Sequence, residues 1–398
     1  MKKINTASAV LGAAFLMATS AIGPGFITQT TVFTRDLLGS FGFVILVSIL
    51  LDIAAQLNIW RIITMSGKPA QQIANEMVPG LGHVLSLLIV FGGLAFNIGN
   101  IAGAGLGLQI LISDTENSFP LETGVWISAI IALVIFWYKE IGMAMDLFAK
   151  VLGGLMIVLT LYVVIRSNPD LSVALHDTVI PSRIDLLSII TLVGGTVGGY
   201  ISFAGAHRLL DAGVTGPAHL KEVQKGSVQA ILIASLMRVL LFLAAFGVVS
   251  AGIVLNATNP AASVFESAAG TLGLKIFGLV LWSASITSVV GSAYTSISFL
   301  RTINPWLQKN QRLVVTLFIL VSSLIFTLIG KPVKVLILAG ALNGIILPVS
   351  LGLMLWALHR SPQVNQTHPK WLKWAGWFVV MIMALLSVKV IIDEMGNI

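Results

Sequence analysis

The sequence predicts an all-α membrane protein with about eleven transmembrane helices. Of the 398 residues, 57% are hydrophobic and only 10% are charged, which is too little charge for a water-exposed surface. Apolar segments of about 20 residues, the length that crosses the hydrocarbon core, recur from the N-terminus almost to the end. Because no change of composition marks a soluble domain, we expect residues 1–398 to form one transmembrane domain.

Apolar periodicity and breaker residues divide the chain into eleven predicted spans, numbered here from the N-terminus. They cover residues 6–37, 40–65, 82–112, 122–138, 141–166, 184–212, 226–251, 271–300, 313–330, 333–358 and 371–392.

Lysine and arginine are distributed unequally between the two sides of these spans. With the N-terminus inside, fourteen of the 23 basic residues lie on the cytoplasmic side and seven on the outer side, and two lie within spans. Because cytoplasmic loops carry the excess of positive charge, we expect a multi-pass protein of the bacterial inner membrane with a cytoplasmic N-terminus and an extracytoplasmic C-terminus. The alternative is a cleaved signal peptide that ends near Ile22, which would remove half of span 1.

Composition argues against several functional classes. Without cysteine, the chain has no disulfide, thiolate metal site or cysteine nucleophile. It has no zinc-binding His/Glu spacing, phosphate-binding loop or nucleophile elbow, so nothing favours an enzyme. The net charge of +7 comes from residues scattered over short loops, so a nucleic-acid partner is not expected. No cofactor or protein partner is implied, and the expected partners are the lipid bilayer and a small molecule or ion.

Spans 1 and 6 are too long and too rich in glycine to be simple helices. Span 1 has Gly23-Pro24-Gly25 at its centre, and span 6 has glycines at positions 194, 195, 198, 199 and 205. Proline lacks an amide hydrogen and glycine tolerates unusual backbone conformations, so we expect both helices to open. Alternatively, the glycines only permit close helix packing.

The two interrupted spans lie five spans apart, at matching positions of two halves. This spacing predicts an inverted repeat of residues 6–166 and 184–358, with span 11 (371–392) outside it. Interrupted helices at corresponding positions indicate the substrate site of a secondary transporter. A non-transporting membrane scaffold is disfavoured, because broken helices give up backbone hydrogen bonds in lipid.

Span 3 carries the clearest resemblance to a known family. Its residues Asn97-Ile98-Gly99-Asn100-Ile101-Ala102-Gly103-Ala104-Gly105-Leu106-Gly107-Leu108 resemble Asp-x-Ala-Glu-x-x-Gly-Ala-Ala-Leu-Gly-Leu of the Nramp (natural resistance-associated macrophage protein) metal-ion transporters. Similar but shorter matches are Gln56, Arg61 and Gly67-Lys68 in span 2, Ser283 to Thr287 in span 8, and Leu347-Pro348 in span 10. The resemblance implies the leucine-transporter fold, with a 5+5 inverted repeat and broken helices 1 and 6.

The metal-binding motifs of that family are altered here. The family has Asp-Pro-Gly-Asn in its first broken helix, where this chain has Gly23-Pro24-Gly25-Phe26. The family's Met-Pro-His falls within Ser202-Phe203-Ala204-Gly205. Borderline divalent ions prefer carboxylate, imidazole and thioether ligands, and Mg²⁺ usually takes one or two carboxylates. We therefore expect no metal site and weak or absent Mn²⁺ binding.

The proton route that the resemblance implies is altered as well. The acidic pair of the family's third helix aligns with Asn97 and Asn100, and amides do not titrate at physiological pH. If protons drive transport, the titrating group must lie elsewhere, and the candidates are His207, Asp52 and Asp211. A histidine bonded to a backbone carbonyl at a helix end is the alternative for His207.

Loss of the anionic ligands favours an anionic substrate. Opened helices direct backbone amides and positive dipole ends into a cavity, where they favour a carboxylate. The candidate substrate-binding residues combine both breaks with aromatic and polar neighbours. They are Gly23, Pro24, Gly25, Phe26, Thr28, Gln29, Tyr200, Ser202, Phe203, Ala204, Gly205, Ser283 and Asn343. For each aromatic side chain, core or lipid contact is the alternative.

Asp52 in span 2 and Arg238 in span 7 fall near the middle of the membrane. A lone charge there costs ~2.5–3.5 kcal/mol on insertion scales, so each should find a partner. We expect a direct or water-bridged Asp52–Arg238 ion pair behind the substrate site. It is either a structural staple, or a device in which Arg238 attracts the substrate carboxylate or Asp52 is the coupling group.

Together these patterns predict a secondary active transporter that imports a small organic acid or amino-acid-like solute with H⁺ or Na⁺. The family resemblance suggests a cyclic lactam acid such as 5-oxoproline as one example. The alternative is an Nramp-like transporter of a divalent cation, Mg²⁺ or Mn²⁺, taken as a hydrated ion.

Overall fold

The fold is all-α throughout the described residues. The computed structural model describes residues 6–113, 119–360 and 362–396, without the side chains of 139–150, 301–302, 363 and 394–396. The helices are α1 (Thr6–Ala21), α2 (Pro24–Leu37), α3 (Phe41–Ser66), α4 (Ala70–Met77), α5 (Leu81–Ile112), α6 (Leu121–Trp137), α7 (Lys139–Ser167), α8 (Leu171–Val179), α9 (Leu186–Val197), α10 (Tyr200–Asp211), α11 (Leu220–Ser250), α12 (Pro260–Ser298), α13 (Pro305–Lys309), α14 (Gln311–Ile329), α15 (Pro332–Ala357), α16 (Pro362–Thr367) and α17 (Lys370–Gly396). Short 3₁₀ turns occur at Leu38–Ser40, Pro217–His219, Phe299–Thr302 and Leu358–Arg360.

Each predicted span corresponds to one helix or to a pair of helices. Span 1 is the pair α1 and α2, and span 6 is the pair α9 and α10. The remaining spans are α3, α5, α6, α7, α11, α12, α14, α15 and α17. The interruptions predicted in spans 1 and 6 are therefore confirmed.

By length and hydropathy, eight helices of the described chain qualify as membrane spans, or nine if the bent pair Val151–Ser167 and Leu171–Val179 forms one. The difference from eleven has two causes. α1 and α6 are apolar but shorter, and α2 and α3 are joined as one stretch, Pro24–Ser66. A straight helix of those 43 residues would extend about 65 Å, roughly twice the hydrocarbon thickness, so this stretch holds the lengths of two spans.

The helix packing surrounds α2 with the elements that carry the candidate site. α2 contacts α5, α9, α11, α12 and α15, and α9 packs closely on α15. α12 packs mainly against α5 and α7. Both interruptions therefore lie inside the bundle, shielded from the lipid-facing surface.

Local sequence explains several helix ends. The Asp185 carboxylate accepts the amide hydrogen of Ser188 and caps the start of α9. Asn259 caps the start of α12 in the same way. α3 and α14 end at the left-handed glycines Gly67 and Gly330, with φ of 65° and 63°.

The last helix is fixed to α3 at its N-terminal end. The Asn58 amide nitrogen donates to the Leu372 carbonyl at 3.0 Å, and the His368 ring nitrogen Nε2 donates to Asn58 Oδ1 at 2.9 Å. Burial, together with the positive charges of Arg61 and Lys373, lowers the pKa of His368 to about 4. His368 is therefore neutral at physiological pH.

Candidate functional site at two helix breaks

The first break lies at Gly23. α1 ends at Ala21, Gly23 is extended (φ −111°, ψ −173°), and α2 begins at Pro24. Because Pro24 has no amide hydrogen, the helical hydrogen bond to the Ser20 carbonyl cannot form. The break is short and ends before Pro24, since Gly25 is already the second residue of α2.

Polar side chains of α5 and α12 approach this break. A Cβ atom at Gly23 would lie 3.5 Å from Asn100 Oδ1 and 3.7 Å from Ser288 Oγ. Pro24 packs on Gly103, where a Cβ atom would lie 2.2 Å from the proline ring. The opened backbone therefore faces an uncharged amide and a hydroxyl, and Gly103 is required for close packing.

Gln29 connects three helices just after the break. Its amide nitrogen donates to the Leu336 carbonyl of α15 at 2.8 Å. Its oxygen is buried without a partner and lies 2.8 Å from the position that a Cβ atom of Gly195 on α9 would occupy. Thr28 is also buried. Gln29 is the predicted site residue that most clearly offers a free polar atom near the break.

The second break, between α9 and α10, lies at Gly198 and Gly199. Gly199 has φ of 53°, a conformation that favours glycine. A Cβ atom there would lie 1.7 Å from Asn343 Oδ1. The Asn343 nitrogen donates to the carbonyls of Gly92 and Ala339 at 3.0 and 2.8 Å. Asn343 thus fills the second break from α15.

The two asparagines at the family's acidic positions form a neutral network with α12. Asn97 Nδ2 donates to the Val289 carbonyl and to Ser292 Oγ, both at 2.8 Å, and Asn100 Nδ2 reaches Ser292 at 3.4 Å. Tyr200, the first residue of α10, also hydrogen-bonds Ser292. The network links span 3 to the second break, and it holds no titratable group that ionises near neutral pH.

The four candidates Ser202, Phe203, Ala204 and Gly205 do not lie at the second break. They are helical residues of α10, because the chain opens one turn earlier. Trp60 of α3 donates its indole hydrogen to the Ser202 carbonyl at 3.0 Å, and its ring occupies the space beside Gly205. These residues join α10 to α3, which is a packing role.

His207 and Phe203 pack away from the second break, against neighbouring helices. His207 Nε2 accepts the amide hydrogen of Ala70 at 3.3 Å, and its ring lies 4.8 Å from that of Phe299. His207 thus bonds the backbone near the end of α10, but it accepts from an amide and does not donate to a carbonyl as the alternative stated. Phe203 also packs edge-on against Phe299. Ser283 on α12 is buried, with no partner for its hydroxyl.

Asp52 and Arg238 line one small cavity together with Phe26 and Thr196. The two charged residues are 2% and 3% exposed. The Arg238 guanidinium carbon lies 4.1 Å from the centre of the Phe26 ring, which is within range of a cation–π interaction. The Thr196 hydroxyl lies beside the Asp52 side chain and donates to the Leu192 carbonyl at 2.9 Å. Asp52 and Arg238 are therefore neighbours, as the sequence predicted.

The direct form of the predicted ion pair is not present. The salt bridges of the described residues lie elsewhere, at Arg35–Asp36, Lys68–Glu76 and His176–Asp177. Asp52 Oδ1 and the Arg238 nitrogens Nε and Nη2 are buried without hydrogen-bond partners. The two charges therefore interact across the cavity without a hydrogen bond between them. Each side chain keeps at least one buried polar atom that has no hydrogen-bond partner.

The structure adds Thr196, Ser288 and Ser292 to the site, and sequence reasoning missed all three. Ser288 and Ser292 are four residues apart on α12 and so share a helix face. That spacing is the signal available in the sequence, but serines are common in membrane helices. Among the described residues, no group of three or more His, Asp or Glu side chains is arranged to hold a metal ion.

The distribution of these features along the chain matches a known family. A family model described as natural resistance-associated macrophage protein-like matches residues 14–393. The chain belongs to the Nramp family. This Nramp protein is 54% identical over 395 residues to YcsG, a membrane protein of Bacillus subtilis, with 99% of this chain and 96% of YcsG covered. It is 24% identical over 419 residues to the divalent metal cation transporter MntH of Agrobacterium fabrum, with 98% and 88% covered.

Solved structures confirm the leucine-transporter fold of this Nramp protein. The manganese transporter of Eremococcus coleocola has a TM-score of 0.74 at 18% identity, over 96% of this chain and 86% of that chain. MhsT in complex with L-phenylalanine has a TM-score of 0.66 at 17% identity, over 96% and 98%. The family and the fold support a membrane transporter.

Proposed function

We propose that this Nramp protein is a secondary active transporter that imports a small organic anion. The observation that carries the proposal is the Arg238 guanidinium packed on Phe26. Phe26 occupies the position of the asparagine in the Asp-Pro-Gly-Asn motif of the family. A guanidinium group therefore lies against a side chain close to the first break, where it can attract a substrate carboxylate.

The charges around the break argue against a divalent cation. A cation beside Phe26 would approach the Arg238 guanidinium, and like charges repel strongly where water is excluded. Asp52, which lines the same cavity, balances the charge of Arg238. No excess negative charge remains for a dication, which usually requires one or two carboxylates.

A divalent cation such as Mg²⁺ or Mn²⁺ is the second candidate, and the relatives favour it over an organic acid. MntH of Agrobacterium fabrum is named a divalent metal cation transporter, and the similar structure from Eremococcus coleocola is that of a manganese transporter. Gln29, Asn97 and Asn343 add a specific observation, since each donates its amide hydrogens to a backbone carbonyl and keeps a buried oxygen without a partner. Such oxygens are ligands that hard cations accept.

Ligand binding to the purified full-length protein separates the two candidates. 5-Oxoproline and its neutral carboxamide are compared by calorimetry, alongside MnCl₂ and MgCl₂. We expect the acid to bind, the carboxamide to bind at least about tenfold more weakly, and the metals to bind weakly or not at all. Micromolar Mn²⁺ affinity that is reduced in Gln29→Ala would replace the organic anion with the metal ion.

The proposal includes a topology. We place the N-terminus in the cytoplasm and the C-terminus outside the inner membrane, with repeats at 6–166 and 184–358. The excess of basic residues on the cytoplasmic side supports this orientation. Alkaline phosphatase fused after residue 398 should be active and a fluorescent protein at that position dark, and the reverse result would invert the topology.

A further inference from the structure

We infer that Asp52 takes up one proton for each substrate carboxylate that binds at Arg238. This inference rests on the proposed function and specifies its coupling. It assigns the anion subsite and the proton site to one cavity, bounded by α2, α3, α9 and α11.

The cavity adjoins both helix breaks. Phe26 lies three residues after Gly23, and Thr196 lies two residues before Gly198. α2 and α9 contribute these two walls, while α3 contributes Asp52 and α11 contributes Arg238. A solute held where the backbone opens is therefore adjacent to this charged pair.

Arg238 has the donors that a carboxylate requires. Its Nε and Nη2 atoms are buried without partners, although the side chain is only 3% exposed. A guanidinium group binds a carboxylate through two parallel hydrogen bonds. Donors left unsatisfied in a buried position are costly, so their retention indicates that a ligand completes them during the transport cycle.

Binding of a carboxylate creates a charge imbalance that one proton removes. Before binding, the cavity holds one cation and one anion. A substrate carboxylate adds a second anion in a region that excludes water, where uncompensated charge is expensive. Addition of H⁺ to the Asp52 carboxylate yields a neutral acid and restores the balance, and no other bond forms or breaks.

The neighbours of Asp52 permit both protonation states. The Thr196 hydroxyl donates to the Leu192 carbonyl at 2.9 Å, so its oxygen is available to accept from a protonated Asp52, and rotation of the hydroxyl would let it donate to the carboxylate instead. Among the described residues that line the cavity, Arg238 is the other charged group. The remaining lining is uncharged: Phe26 from α2, Ser48 and Ile49 from α3, Thr196 from α9, and Ala234 and Ser235 from α11. None of the other helices packed against α3 contributes a lining residue.

Proton uptake on ligand binding tests the inference directly. Calorimetric titration with 5-oxoproline, in two buffers of different ionisation enthalpy and from about pH 6 to about pH 9, counts the protons taken up per ligand. We expect about one proton in the range where Asp52 is ionised. Asp52→Asn should bind the acid without proton uptake and without pH dependence. Arg238→Gln should bind at least about tenfold more weakly, and Arg238→Lys should recover part of the affinity.

Two further variants control for folding and for loss of charge. Asp52→Asn combined with Arg238→Gln removes both charges, so it leaves no buried ion uncompensated and should fold, yet should not bind the acid. Arg208→Gln removes an exposed arginine of α10 and should behave like the wild type. Equal binding by the wild type and Arg238→Gln, or proton uptake that persists in Asp52→Asn, overturns the inference and leaves the proposed function intact. If the wild type binds no carboxylate, both fail.

Discussion

The two helix breaks occupy matching positions in the chain but are closed in different ways. At the first break, the Asn100 and Ser288 oxygens leave ordinary contact distances of 3.5 and 3.7 Å to a Cβ atom at Gly23. At the second break, Asn343 Oδ1 lies 1.7 Å from the Cβ position of Gly199. The charged cavity adjoins both breaks, so the difference between them lies in this free space. We conclude that the first break has space for a ligand, whereas the second break is filled by the Asn343 side chain.

The largest expected effect is that of Gly199→Ala. The methyl group would be strained by φ of 53° and would collide with Asn343, so we expect a loss of about 2–5 kcal/mol in stability and little folded protein. Gly330→Ala is the matched control, because Gly330 has φ of 63° but open space around it. It should cost about 1–2 kcal/mol in thermal or denaturant unfolding. Equal stability of the two variants would refute the role of Asn343 as a filler.

Gly25→Val tests the first break through transport. Gly25 has helical geometry, and a Cβ atom there would meet Gln29 Nε2 and the Leu336 carbonyl at 3.5 and 3.6 Å. Alanine should therefore be tolerated, whereas the branched valine should push Gln29 out of its hydrogen bond. We expect normal expression of both, near-normal uptake by Gly25→Ala and none by Gly25→Val. Full uptake by the valine variant would remove the substrate path from the first break.

Gln29→Ala removes the side-chain amide just after the first break, and Asn343→Ala removes the one at the second break. Each loses hydrogen bonds to buried carbonyls, so both should lose about 1–3 kcal/mol of stability. If only the first break faces the ligand, Gln29→Ala should also weaken ligand binding, while folded Asn343→Ala should bind normally. Isothermal titration of both purified variants gives the comparison. Equal loss of affinity in both would mean that the two breaks share the ligand.

The smallest effect is expected from His368, which is remote from both breaks. Its pKa is about 4 in the folded protein and higher in the unfolded chain, so below about pH 6.5 the unfolded state binds more protons. Stability should be unaffected by this group above that pH and should fall as the pH decreases towards 4. His368→Gln should weaken this acid sensitivity in melting experiments without changing proton uptake on ligand binding. A change in proton uptake would contradict the assignment of coupling to the first break.

The sequence predicted the helices and the interruptions well, because apolar length and proline–glycine clusters act locally. Gly23-Pro24 opens a helix whatever surrounds it. The exact place of the second break was harder, since alignment with a family motif pointed to Ser202–Gly205, and the positive φ of Gly199 depends on the fit of Asn343. Insertion cost predicted that Asp52 and Arg238 would be neighbours. Their lack of direct contact depends on how the side chains that line the shared cavity pack, which periodicity does not describe.

The paired charges of the cavity determine which form of cellular energy drives uptake. If a carboxylate and a proton cross together, no net charge moves, and the membrane potential, worth about 2.3 kcal/mol per charge per 100 mV, does no work on the solute. Only the pH difference then remains, and each unit of it supports about tenfold accumulation. A cell that depends on this protein would concentrate the solute in acidic surroundings and release it in alkaline ones, regardless of its electrical polarisation.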